Sequence, residues 1–179
     1  MGTFFIAADP GKNGALVCLD DYGTILGKMA TPVDESDTVS VEDEIDFIID
    51  MCWKGPDRVV FIIEDVHPLY AVSAKSTGTF MYNKGELHGI FETIRCISSK
   101  IEMDVRFLAP KTWQKEVWNH ADKVFQGGKI DTKKTSLRCA ERLFPDTDFR
   151  KNSKCKTPHD GIVDAVLIAE AGRRLFKND

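Results

Sequence analysis

The chain has 179 residues of which 42% are hydrophobic, enough for one domain with a real core, so a single domain over 1–179 is expected. No window approaches the roughly 18 uninterrupted apolar residues of a membrane span, and the N-terminus lacks a basic segment leading into an apolar stretch, so a soluble, cytoplasmic protein without membrane contact is expected. Five scattered cysteines without a CxxC pair exclude a disulfide framework or a zinc cluster, and a net charge of −4 leaves a nucleic-acid partner open only if positive charge is concentrated locally.

Thr3 to Ala8 is a short apolar run ending at Asp9, followed by the turn-forming Pro10-Gly11-Lys12-Asn13-Gly14, which reads as a buried strand entering a tight turn. Ala15–Leu19 and Thr24–Met29, joined by a turn at Asp20–Gly23, read as two more strands of an antiparallel meander. Val41, Ile45, Ile48, Ile49 and Cys52 recur at helical spacing until Gly55-Pro56. Val59–Ile63 is then a continuous apolar run of the central parallel type, with Glu64 at its end. A long helix is predicted from about Ser73 to Lys100, a strand at Val105–Leu108, and a helix opening at Ala109-Pro110, where proline costs little. A basic helix follows near Thr132 to Phe144, and a last helix runs from about Pro158 to Phe176. Between Lys111 and Lys156 twelve Lys or Arg face six acids, while the remainder of the chain is acidic, so one region is suited to phosphates.

This order predicts an α/β fold: a mixed five-stranded sheet, three antiparallel strands then two parallel ones, flanked by helices. A right-handed crossover sets the strand ending at Glu64 parallel to the one ending at Asp9, so the two carboxylates meet at one end of the sheet. Glu64 and Asp65 point to opposite faces, so only one belongs to such a cluster. Asp160 and Asp164, four apart, share a helical face, and Asp164 lies among Val163, Ala165 and Val166 in the apolar part of the pattern. Converging carboxylates repel one another unless cations neutralise them, and oxygen donors point to Mg²⁺ or Mn²⁺. Two such ions about 4 Å apart can activate a water and stabilise the leaving oxygen of a phosphodiester.

Three segments carry a family resemblance: Ile6-Ala7-Ala8-Asp9-Pro10-Gly11-Lys12-Asn13-Gly14-Ala15, Ile63-Glu64-Asp65-Val66-His67, and Pro158 to Ala169 with its His159-Asp160 and Asp164. In order, they resemble three motifs of the RuvC-type Holliday junction resolvases, phage and bacterial proteins of the RNase H-like superfamily. Leu108-Ala109-Pro110-Lys111-Thr112-Trp113 and Ala140-Glu141-Arg142-Leu143-Phe144-Pro145 resemble further segments of those relatives. The resemblance implies an RNase H-like fold and a crossover junction endodeoxyribonuclease that makes paired symmetric nicks by two-metal-ion hydrolysis. Two Mg²⁺ (or Mn²⁺) ions per site would be held by Asp9, Glu64, Asp160 and Asp164. His159 is a further catalytic candidate at the rim, and whether His159 or Asp65 joins the site stays open.

Branched DNA, a four-way junction, is the implied partner. Lys12, His67, Tyr70, Lys75, Lys84, Lys111, Lys133 and Lys134 are its candidate contacts: an aromatic such as Tyr70 for stacking on an unpaired base, lysines for phosphates. A homodimer is expected, because two matched nicks need two carboxylate clusters and a two-fold dimer matches a pseudo-two-fold junction. The apolar surplus of the Ser73–Lys100 segment offers a surface for it. No nucleotide cofactor is expected: phosphotransferases with an Asp and glycines after the first strand need two such domains, and this chain is too short for that. The alternatives are another RNase H-like nuclease, acting on flaps or RNA–DNA hybrids, and a non-catalytic junction-binding module.

Overall fold

A computed structural model of the chain describes residues 2–33, 39–66, 74–98 and 100–179, with only the backbone of 74–77. The strands β1 (Thr3–Asp9), β2 (Ala15–Leu19) and β3 (Ile25–Ala30) form the antiparallel meander, and β4 (Arg58–Glu64) and β5 (Glu102–Leu108) extend it in parallel on the other side of β1. The sheet order is β3-β2-β1-β4-β5, as the predicted crossover requires. Around it lie α1 (Val41–Trp53), α2 (Ala74–Ile97), α3 (Pro110–Val117), α4 (Thr132–Leu143) and α5 (Asp160–Phe176). The mixed five-stranded sheet with flanking helices is the fold class that the sequence predicts.

Period-two alternation divides the sheet residues between two cores. Phe5 and Ala7 of β1, Val17 and Leu19 of β2, and Val60 and Ile62 of β4 pack with α3, α4 and α5. Ile6, Ala8, Leu16, Cys18, Val59, Phe61 and Ile63 face the other way, against α1 and α2, where Phe61 stacks on Phe91 with ring centroids 4.2 Å apart. Because helices cover both faces, β4 is apolar throughout Val59–Ile63 rather than alternating.

α5 is the most deeply packed helix, and its close fit depends on glycine. A Cβ at Gly172 would stand 2.1 Å from Ile62 Cδ1, and one at Gly161 would stand 2.2 Å from the Asn13 carbonyl and 2.6 Å from the Gly14 carbonyl carbon. The second contact seats the first turn of α5 directly on the β1–β2 turn. That turn is closed by the Gly14 N–H donating to the Gly11 carbonyl over 2.7 Å.

Element boundaries moved little from expectation. The last helix starts at Asp160 rather than Pro158 because His159 is its N-cap, with Nδ1 accepting from the Ile162 N–H over 3.3 Å. A small hairpin, β6 (Phe125–Gln126) and β7 (Lys129–Ile130), stands between α3 and α4 where the sequence suggested no strand. Leu87, Ile90, Phe91 and Ile94 of α2 are buried against the sheet, so most of the apolar surplus assigned to a dimer surface belongs to the chain's own core. Of the side chains described on α2, Met81, Tyr82 and Ile97 are the large hydrophobics left exposed. No helix among the described residues is long and apolar enough to cross a membrane.

Candidate active site

The alternation that builds the cores also builds the site. Asp9 continues the Phe5–Ala7 side of β1, and Glu64 continues the Val60–Ile62 side of β4, so both project onto the α5 face. The parallel register pairs Ala8 with Ile63, which brings the next residues, Asp9 and Glu64, to the same end of adjacent strands. Asp164 lies one turn into α5, beyond the Gly161 contact that holds this helix to the Asp9 turn. Three elements thus deliver three carboxylates to one place.

Each keeps some surface open to solvent, yet protein surrounds most of it, and the electrostatics record both burial and proximity. Burial pushes the Asp9 carboxyl up to about 6, against the pull of its hydrogen bond from the Gly11 N–H. Glu64 is pushed up to about 8, first by burial and then by the charge of Asp9, with a smaller contribution from Asp164. Asp164 is pushed up to about 7, again by burial first and Asp9 second. Among the described residues, the groups that hydrogen-bond the three are neutral: the Gly11 N–H at 3.1 Å, the Trp113 indole N–H donating to Glu64 Oε1 at 2.8 Å, and the Ser136 hydroxyl on Asp164.

Asp160 stands apart from the trio. Its side chain is 59% exposed and pairs with Lys133 Nζ at 2.5 Å, although its charge still reaches Asp164. His159 is occupied as the α5 cap, and burial together with Lys151 holds its pKa below the usual histidine value. Asp65 faces the opposite side of the sheet, where it pairs with Lys84, whose ammonium also lies 5.1 Å from the centre of the Phe107 ring. Both Asp65 and Lys84 are therefore directed away from the carboxylates, as strand alternation requires once Glu64 faces α5.

The other expected DNA contacts divide by position. Lys12 lies in the β1–β2 turn, Lys111 is exposed at the start of α3, and Lys133 and Lys134 open α4, the latter 3.2 Å from Asp131. Lys75 belongs to α2 with its side chain outside the described residues, and His67 and Tyr70 lie outside them altogether.

Sequence reasoning did not single out Trp113 or Ser136 as site residues. Trp113 is nearly inaccessible and edge-on to Trp118, with ring centroids 5.9 Å apart. Its place follows from β5: Leu108 is paired with Glu64, so α3, starting two residues later, lays its first turns over that carboxylate. The Ala109-Pro110-Lys111-Thr112-Trp113 segment was the signal, read as a helix start.

The donor set suits a hard divalent cation: carboxylate oxygens raised in pKa first by burial, with the charge of Asp9 adding to the rise at Glu64 and Asp164, and hydrogen-bonded by neutral groups among the described residues. Among the described residues, no three His, Cys, Asp or Glu side chains stand close enough together to hold a metal ion as they are.

No family model matches the chain, and no curated protein matches it in sequence. Solved structures do. A Thermus thermophilus RuvC in complex with a Holliday junction substrate superposes with a TM-score of 0.55 at 11% identity, over 94% of this chain and 90% of that one. A second Thermus thermophilus RuvC structure gives 0.51, also at 11% identity, over 99% and 98%. The chain has the RNase H-like fold in its RuvC form.

Proposed function

We propose that this chain is a structure-selective endonuclease that resolves four-way DNA junctions, cutting two strands symmetrically as a homodimer. The observation that carries the reading is the carboxylate trio Asp9, Glu64 and Asp164, delivered by two parallel strand ends and the facing helix of a RuvC-like fold, with neutral hydrogen-bond partners among the described residues. These three residues would hold two Mg²⁺ or Mn²⁺ ions, and Asp160 stands ready at the rim. Bound there, the ions supply Lewis acidity and a water made nucleophilic at neutral pH.

The chain's own residues do the positioning. The Gly11 N–H fixes Asp9, the Trp113 indole fixes Glu64, and Ser136 fixes Asp164, so that the carboxylates would present defined orientations to a bound ion. Lys111, Lys133 and Lys134, on the first turns of α3 and α4, take the phosphates that flank the scissile bond. Binding by phosphate contacts and cutting by carboxylates are separable tasks. Asp9→Asn and Glu64→Gln should therefore abolish cleavage while keeping junction affinity, and a junction presented beside duplex, flap and RNA–DNA hybrid substrates tests the reading. Preferential cutting of the hybrid would move the assignment to another RNase H-like nuclease, and binding without cutting would move it to a junction-binding module.

A further inference from the structure

A hairpin with two residues per strand does not hold itself together, so β6–β7 depends on what supports it. At its base, the Asp131 N–H donates to the Val124 carbonyl over 2.8 Å and the Val124 N–H donates to Thr135 Oγ1 over 3.1 Å. Lys134 Nζ reaches Gln126 Oε1 at 3.2 Å, and Asp131 is the N-cap of α4. The segment leading in is fastened by buried Asp122, held by Arg142 through two bonds of 2.9 and 2.7 Å.

Beyond this base the hairpin stands in the open. Its turn is Gly127-Gly128, both at positive φ (58° and 77°), the geometry that matches strand twist in a two-residue turn. A Cβ built at either glycine meets no described atom within 4 Å. Phe125 and Ile130, directly opposite each other across the two strands, are 62% and 39% exposed.

The surroundings define what such a pair can meet. Lys123, Lys129, Lys133 and Lys134 lie within twelve residues, whereas the one acid of that stretch, Asp131, caps α4, and Asp122 just before it is held by Arg142. The α4 helix that carries the hairpin also carries Lys133 on Asp160 and Ser136 on Asp164. One ring and one isoleucine are far less than the roughly 800 Å² per partner of a standard protein interface, and they match the face of a single base. A base offers that face where stacking is interrupted.

We propose that the β6–β7 hairpin is a wedge for branched DNA: Phe125 stacks on a base left unpaired at the branch point, Ile130 backs the ring, and Lys123 and Lys129 take the adjoining phosphates. The inference rests on the nuclease reading. It gives that reading a structural origin for junction selectivity at a place separate from the carboxylates.

The test uses the full chain carrying Glu64→Gln, so that binding is read without cutting, and a four-way junction with 2-aminopurine at the branch point beside a linear duplex of the same sequence. With Phe125 present, junction binding should change the 2-aminopurine fluorescence. Phe125→Ala should abolish that change and weaken junction affinity about tenfold, the scale of losing one stacked base, with duplex affinity unchanged. Phe125→Trp should keep both signals. Thermal melts of each variant should coincide, since the ring is exposed. An unchanged fluorescence response and affinity in Phe125→Ala would overturn the wedge. So would loss of self-association in that variant with the DNA signals intact, because the hairpin would then be a contact between copies. In the Glu64-intact background with Mg²⁺, failure to cut any branched DNA defeats the nuclease reading. Equal cutting with and without Phe125 defeats only the wedge.

Discussion

Asp164 and Glu170 lie on the same helix and meet burial in opposite ways. Burial pushes Glu170 up, but hydrogen bonds from Arg173 and Arg174 outweigh it and hold the group below its ordinary value. Asp164 gets a hydroxyl where Glu170 gets guanidinium groups, and its pKa rises to about 7. A structural acid is neutralised within the fold, whereas the described partners of the trio are neutral and, on the proposed reading, a cation would neutralise it. A carboxyl raised above its unfolded value holds a proton in the folded state that the unfolded chain releases, so metal-free stability falls as pH rises from the ordinary carboxylate range toward the folded values of about 6, 7 and 8. Mg²⁺ binds the deprotonated form, so the rise in Tm on adding Mg²⁺ should be larger at pH 8 than at pH 5.5. An equal rise at both values would show that the ion acts elsewhere. Trp113→Phe keeps the ring in its packed place but removes the N–H on Glu64. It should lower the cleavage rate about tenfold and raise the Mg²⁺ concentration needed for half-maximal rate, leaving junction affinity alone. Rates measured across a Mg²⁺ titration decide this.

At the scale of elements, what could be read from the sequence was whatever period and topology determine. The strand order and the pairing of β1 with β4 follow from a right-handed crossover, and alternation sets Glu64 and Asp65 on opposite faces, the preference for Glu64 coming from the family resemblance. Contacts set by how helices lie on the sheet were not legible. Trp113 meets Glu64 and Ser136 meets Asp164 across elements, and helical spacing and the family resemblance set Asp160 beside Asp164 whereas the first turn of α5 leaves Asp160 in solvent with Lys133. The hairpin escaped because two-residue strands give too short an alternation to see, although Gly127-Gly128 marked its turn. The seating of α5 on the β1–β2 turn makes a direct prediction. Gly161→Ala puts a methyl group on the Asn13 carbonyl and should cost roughly 1–3 kcal/mol by overpacking. Urea unfolding of the two proteins measures it, and an unchanged midpoint would mean that α5 is not held where the site needs it.

At the scale of the whole molecule, one chain brings one carboxylate trio, whereas resolving a junction takes two nicks of like polarity. A two-fold dimer supplies them, so light scattering at micromolar concentration should give twice the chain mass, with or without junction DNA. A monomer that still makes paired, symmetric cuts would refute the dimer. The exposed side chains available for such an interface on α2 are fewer than the sequence pattern implied, since Leu87, Ile90, Phe91 and Ile94 are consumed by the sheet. The most direct test of the central claim is cleavage of an end-labelled four-way junction in Mg²⁺ by wild type and Glu64→Gln at equal bound fraction. Wild type should give paired nicks at symmetric positions and the variant none. Cutting by Glu64→Gln at the wild-type rate, or robust cutting in EDTA, would contradict it.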